Sequence, residues 1–123
     1  MATELVIIDS EFVSTSATPF AALVVPLAAG QTARTSVIVI ATSDDGHAAS
    51  WSLDALYTLH GGVLTSIGFL KDRGITDNAS KNWDVAVRAR VEEPGSLECI
   101  FTGEAGRTIR WGMSGKFYIL QAG

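Results

Sequence analysis

Apolar residues recur along this chain mostly at a spacing of two, the period of a strand whose side chains alternate between two faces. Over residues 83–91 the odd positions carry Trp83, Val85, Val87, Ala89 and Val91, and the even positions carry Asp84, Ala86, Arg88 and Arg90. Such a strand has one dry face and one wet face. After the turn Glu92-Glu93-Pro94-Gly95, Leu97, Cys99 and Phe101 share a face opposite Glu98 and Ile100. A glycine-bearing loop, residues 103–106, leads into Ile109, Trp111 and Met113, which alternate with Thr108, Arg110 and Gly112. Short turns between three such runs predict an antiparallel meander. Residues 116–120 extend or bend the last strand, with Gly115 expected to permit a bulge.

Upstream, residues 51–59 alternate in the same way, and Gly61-Gly62 separates them from residues 63–70. A Gly-Gly between two alternating runs is a hairpin signal. Residues 35–41 are apolar on both faces through Val37, Ile38, Val39 and Ile40, which predicts a central strand or one covered by a neighbour. Pro19 and Pro26 flank or enter the stretch 21–29, leaving it an edge strand or an extended arm. No segment has a convincing helical period. About seven or eight strands at turn spacings of about 8–12 residues predict an all-β fold, an antiparallel β-sandwich or jelly roll with an extended N-terminal arm.

Composition narrows the class. With 123 residues, 47% of them hydrophobic and 18% charged, the chain fits one domain with its own core. The lone Cys99 excludes an internal disulfide and any multi-cysteine metal site. No apolar run approaches the ~20 residues of a membrane-spanning helix, and Met1–Glu4 carries no basic n-region, so a soluble, cytoplasmically made protein is expected. The net charge is −4 and the nine Lys and Arg are scattered, which supplies no basic face for nucleic acid.

Candidate chemistry is sparse. His47 follows Asp44-Asp45-Gly46 and His60 precedes Gly61-Gly62, turn positions that suit solvated side chains better than a ligand or base. Two histidines and one cysteine show no zinc spacing, and Asp44-Asp45-Gly46 lacks the further acidic positions of a calcium loop. Asp72, Asp77 and Asp84 raise a paired-carboxylate reading. Against it, residues 71–74 read as a loop with a local charge pair, and Asp84 lies on a wet face. Asn78-Ala79-Ser80 matches a glycosylation sequon, unused in a chain that meets no transferase. Cys99, between Leu97 and Phe101, reads as a buried inert thiol. Trp51, Trp83 and Trp111 fall on apolar phases and, with Val85, Val87, Cys99, Phe101 and Ile109, form the expected core. No enzymatic activity, cofactor or metal is expected.

Residues 51–57, the Gly61-Gly62 hairpin, Asn82-Trp83-Asp84-Val85 and the run Thr102-Gly103-Glu104-Ala105-Gly106-Arg107-Thr108-Ile109-Arg110-Trp111 occur in that order. The series, spanning about residues 34–114, resembles a β-rich module of tailed-bacteriophage virion proteins, found at the C-terminal end of tail fibres, tailspikes and related surface proteins. Physically, Gly103 and Gly106 are expected to give the turn positive φ, and Trp111 to anchor the sheet interface. The resemblance implies a virion location and homo-oligomers, commonly trimers, and carries no catalytic residues.

Such a module normally ends a much longer polypeptide, whereas here about thirty residues precede it. A small protein decorating the virion is therefore expected, either a capsid decoration (cement) or a head-fibre protein. Residues 1–33 would be the arm or edge strand for attachment or subunit exchange, and residues 34–123 the β-sandwich. Expected partners are further copies of the chain and the major capsid or tail proteins, without nucleic acid or membrane. Val6, Ile7, Phe12, Phe20, Leu23, Val24 and Val25 are the contact candidates; equally, they could complete the core of a monomer. The alternative function is a tail-fibre or baseplate module recognising host surface glycan or protein. Its specificity would sit in loops 44–48, 71–81 and 92–96, with Asp44, Asp45, Asp72 and Asn78 as recognition residues. A small carbohydrate-active enzyme built on Asp72, Asp77 or Asp84 is a third reading. The mean hydropathy is positive, high for a soluble domain of this length, which favours self-association.

Overall fold

The computed structural model describes residues 3–76, 82–89 and 95–121. Among them every regular element is a strand: β1 (Thr3–Ser14), β2 (Phe20–Pro26), β3 (Gln31–Ser43), β4 (Ala48–His60), β5 (Val63–Thr76), β6 (Asp84–Ala89), β7 (Ser96–Thr102) and β8 (Ile109–Gln121). They form two antiparallel sheets packed as a β-sandwich. The large sheet has five strands in the order β1-β8-β3-β4-β5, and the small sheet three in the order β2-β7-β6.

Alternation explains both the strands and the packing. In β3, β4 and β8 the odd residues point inward and the even residues outward, so Val37, Val39, Leu53, Phe117 and Ile119 are buried. In β1 the phase is reversed: Val6, Ile8 and Phe12 pack against the core, while Leu5 and Ile7 face out. Trp51 and Trp111 stack at 5.7 Å between centroids, and the Phe101 ring closes on Trp111 at 5.4 Å and on Phe12 at 4.7 Å. Aromatic rings arranged edge-to-face or offset add to the burial of their large surfaces. The Tyr57 hydroxyl of the large sheet donates to the Val87 carbonyl of the small one at 3.3 Å, a polar tie across the interior.

The Gly61-Gly62 hairpin forms as the sequence predicts. His60 pairs with Val63, and both glycines have positive φ, 59° and 76°, as a primed two-residue turn requires. Elsewhere the structure departs from the sequence reading. β6 and β7 pair as a hairpin, but β8 does not continue it as a meander. It crosses to the large sheet and lies between β1 and β3. Local turn chemistry over residues 103–108 marks a reversal without specifying which strand comes next. Gly115 produces no bulge, because register with Ile8 and Val37 runs unbroken through it. Its lack of a side chain instead makes room for the Phe117 ring, 3.0 Å from where a Cβ would stand. Gly106 has positive φ but Gly103 does not; a Cβ there would lie 2.6 Å from Ser14 Oγ, so close approach explains that glycine. Lys71 lies within β5 rather than a loop.

Residues 1–33 contain one of the two edge strands of each sheet, β1 and β2, and the boundary at residue 33 falls inside β3. β3 is central, as its sequence predicts. Its outward residues Ile38 and Ile40 nevertheless remain 56% and 60% exposed, uncovered by any described residue.

Candidate functional site

Two surfaces gather the groups that could act on another molecule. The first is a polar cleft of about 370 Å³ at one end of the sandwich, lined by Asp44, Asp45, Glu104, Gly106, Arg107 and Thr108. The β3–β4 turn builds one wall. Ser43 N–H donates to the His47 carbonyl at 2.8 Å and Gly46 N–H to the Ser43 carbonyl at 3.0 Å, with Gly46 at positive φ. The Ser43 hydroxyl donates to the Asp45 carboxylate and accepts from His47 N–H at 3.1 Å. The loop after β7 builds the other wall. Arg107 reaches Asp45 at 3.4 Å and Glu104 at 3.4 Å, and Glu104 also accepts the buried Trp83 indole N–H at 3.1 Å.

This network holds both loops in one geometry. The Ser43 hydroxyl, and then the charge of Arg107, hold the Asp45 carboxyl below its ordinary value despite the opposing effect of desolvation. Asp45 is thus firmly a carboxylate and poorly suited to exchange protons near neutral pH. Among the described residues no cluster of His, Cys, Asp and Glu could hold a metal ion. The cleft is a charged, pre-ordered surface suited to hydrogen bonding with a polar ligand.

The second surface is the outer face of the large sheet. Register aligns its outward residues in rows across the strands. Gly112 and Ser50 flank Ile40, and Ser114 and Ser52 flank Ile38. A further row runs Ile7, Lys116, Ser36, Asp54 and Leu70. Two adjoining depressions of about 390 and 290 Å³ meet over Gly112, between Glu11 of β1 and Ile40 of β3. Ile7 is 57% and Leu70 73% exposed, and Leu5, Val13, Tyr118 and Leu120 are exposed on the same face. Isolated exposed apolar residues are ordinary; here Ile38 and Ile40 adjoin on β3, and Leu5, Ile7, Tyr118 and Leu120 form a second group on β1 and β8, with Asp9, Glu11, Arg34, Asp54 and Lys116 among them on the same face.

The sequence candidates distribute as follows. Trp51, Trp83, Val85, Val87, Cys99, Phe101, Ile109 and Trp111 are all buried. Of the contact candidates, Val6, Phe12 and Phe20 are partly buried against the core, Val24 is half-buried, Val25 is buried, and Ile7 is exposed. The side chain of Leu23 lies outside the described residues, as do the side chain of Asp72, residues Asp77 and Asn78, and the sequon. Asp84 is exposed and pairs with Lys71. His60 is exposed at the hairpin, and His47 lies 4.0 Å from Asp45. Burial pushes the Cys99 thiol up to about 12.

Sequence reading missed Glu104 and Arg107 as partners of Asp45, because only the crossing of β8 brings their loop to the β3–β4 turn. It also missed Lys116 and Asp54, whose relation exists only through register. The doubled apolar phase of residues 37–40 was the one local signal of the outer face.

Among the described residues, an antiparallel β-sandwich of eight strands, whose large sheet exposes apolar side chains on its outer face, is the class of protein these features define. No family model matches the chain, and no curated protein matches it.

Proposed function

We propose that this chain is a structural protein of a tailed-bacteriophage virion, a capsid decoration or head-fibre protein that works as a homo-oligomer. The observation that carries the reading is the number of exposed apolar side chains on the outer face of the large sheet, with Ile38 and Ile40 on its central strand. A lone soluble domain gains nothing from such a face, whereas a chain that packs against its own copies or a capsid lattice buries it. The motif series over residues 34–114 directs the reading toward the virion, where the protein would be found with the major capsid or tail proteins. The reading assigns no catalytic step. Burying apolar surface between subunits would supply the binding energy, and the edge strands β1 and β2 would supply backbone hydrogen-bonding edges for attachment.

The test is to purify particles released from cells carrying the gene and quantify the 13.0 kDa chain by mass spectrometry. A fixed copy ratio to the major capsid protein supports the reading. Particles that contain their capsid protein but none of this chain overturn it.

The polar cleft favours a second reading, a receptor-binding module at a fibre or baseplate tip. A pre-ordered cleft of about 370 Å³ with several charged groups matches recognition of a host surface glycan or protein. Binding to host polysaccharide that is lost in Arg107→Ala would favour it; no binding to intact host cells would remove it.

A further inference from the structure

We infer that the free edge of β1 pairs with β1 of a second copy of this chain, antiparallel about a two-fold axis perpendicular to the sheet. The pairing joins two five-stranded sheets into one continuous sheet. This rests on the reading that the protein self-assembles, and it names the surface, the partner and the register.

A sheet edge presents a row of unpaired backbone groups, which proteins guard with short strands, prolines, bulges or charge. Of the four edge strands, β2, β5 and β6 are guarded in this way. β2 has seven residues, follows Pro19, ends at Pro26 and is bulged between Ala21 and Leu23. β5 is bulged twice and carries Lys71-Asp72-Arg73. β6 has six residues; its Asp84 is tied to Lys71, and its Val87 carbonyl accepts the Tyr57 hydroxyl at 3.3 Å. β1, by contrast, runs for twelve residues without proline, glycine or bulge, in unbroken register with β8. Among the described residues its backbone makes no hydrogen bond outside that ladder. Its guards are acidic, and they flank the run Leu5-Val6-Ile7-Ile8 without interrupting it.

The acids select the register. Opposed residues of an antiparallel pair share a face, so the two-fold axis passes through one position and its copy. Like charges set directly opposite each other are destabilising. Centred on Asp9, the axis sets that residue against itself, and centred on Ser10 it sets Asp9 against Glu11. Centred on Ile8, it leaves Asp9 of the two copies diagonal to each other. Centred on Val6, it places Glu4 opposite Ile8 on the inward phase. Centred on Ile7, it keeps every acid clear: Asp9 opposes Leu5, Glu11 opposes Thr3, and Glu4 opposes Ser10.

The same register completes the core. On the interior strands the inward residues Val37 and Phe117 are buried, at 0% and 2% exposure, whereas Val6 and Ile8 of β1 are half-buried. With the axis at Ile7, Val6 stands opposite Ile8 of the second copy, and Ile8 opposite its Val6. Opposed Cβ atoms lie about 4.5–5.5 Å apart, so each side chain covers the flank that the other leaves open. On the outer face Ile7 meets its own copy, which extends the apolar group of Leu5, Ile7, Tyr118 and Leu120 across the axis. Residues 3–11 of the two strands overlap, and bonds exchanged at alternate pairs give about eight backbone hydrogen bonds.

The experiment uses Ile7→Lys, Ile40→Lys, Ile7→Cys and Asp9→Cys. Mass is read by sedimentation up to the highest soluble concentration, and folding by tryptophan fluorescence. The wild type is expected to move toward twice 13.0 kDa as concentration rises. Ile7 is exposed, so Ile7→Lys should stay folded. It sets like charges against each other on the axis and should weaken the dimer by about tenfold or more. Ile40→Lys, on the same face but on the central strand, should dimerise as the wild type does. Under mild oxidation Ile7→Cys should give a disulfide-linked dimer, because the two thiols flank the axis. Asp9→Cys, opposite Leu5, should give none, and neither should the wild type, whose Cys99 is buried. A wild type that stays at 13.0 kDa throughout overturns this inference and the homo-oligomer with it, whereas the virion location is judged separately by particle composition. Self-association that survives Ile7→Lys, or that Ile40→Lys abolishes, overturns this edge and leaves self-assembly standing. Cross-linking of Asp9→Cys but not of Ile7→Cys overturns the register.

Discussion

Trp111 donates its indole N–H to the Ser14 hydroxyl at 2.9 Å, a buried contact between residues 97 apart in the chain. It ties the end of β1 to the strand that carries the central ring of the core. Ser14→Ala removes the acceptor and leaves the indole N–H in an apolar setting. The expected cost is about 1–3 kcal/mol, read as a lower urea midpoint at unchanged slope. Unchanged stability would mean that the indole has another acceptor and that this contact does not hold β1 in place.

The same hydroxyl limits the loop after β7. A Cβ at residue 103 would stand 2.6 Å from Ser14 Oγ and 3.1 Å from the Ser16 carbonyl. Gly103 lacks positive φ, so any effect of Gly103→Ala comes from space and not from backbone strain. A loss of about 1–3 kcal/mol is expected. Combined with Ser14→Ala, the loss should be less than the sum, because the first obstacle is gone. Strict additivity in the double-mutant cycle would overturn the clash as the cause.

Thr35 is fully buried on the inward phase of β3, between Phe117 and Ala55. Its hydroxyl has no hydrogen-bond partner among the described residues. Valine has nearly the same shape without the polar atom. Thr35→Val should therefore stabilise the fold by about 1 kcal/mol, the penalty of an unpaired buried hydroxyl relieved. Thermal or urea unfolding measures it, and a destabilised variant would show that the hydroxyl is satisfied in solution.

These residues mark how far the sequence could be read. The inward phase of β6, Val85 and Val87, and the paired glycines of the β4–β5 hairpin are local patterns with local causes, so alternation and turn chemistry predict them. The burial of Trp51, Trp83 and Trp111 follows from the same alternation. Ser14 beside Trp111, and Arg107 beside Asp45, depend on β8 leaving the small sheet for the large one. Nothing in the turn over residues 103–108 encodes that crossing. Lys116 and Asp54 are unremarkable polar positions until register places them in one row with Ser36 between them. The apolar doubling of Ile38 and Ile40 is visible in sequence, but it equally predicts a covered strand. Only the strand order leaves them uncovered.

The pH dependence of stability supplies a last prediction. Cys99 lies in the core between Leu97 and Phe101 on the inward phase of β7, and burial raises its thiol from 9.0 to about 12. The neutral thiol is favoured in the folded state, and the unfolded chain ionises first as pH rises. Below about 9 the group has no effect on the slope. From about 9 toward 12 the unfolded state loses a proton that the folded state keeps, so stability falls by up to about 1.4 kcal/mol per pH unit. Tyr57, also raised by burial, adds a loss of the same sign at higher pH in any variant that retains it. Cys99→Ala isolates the thiol: it lowers stability at pH 7 through a small cavity, but removes this part of the alkaline slope. The free-energy difference between wild type and Cys99→Ala should therefore shrink between pH 8 and 11. A difference that stays constant over that range would mean the thiol ionises alike in both states, and that Cys99 is reached by water in the folded protein.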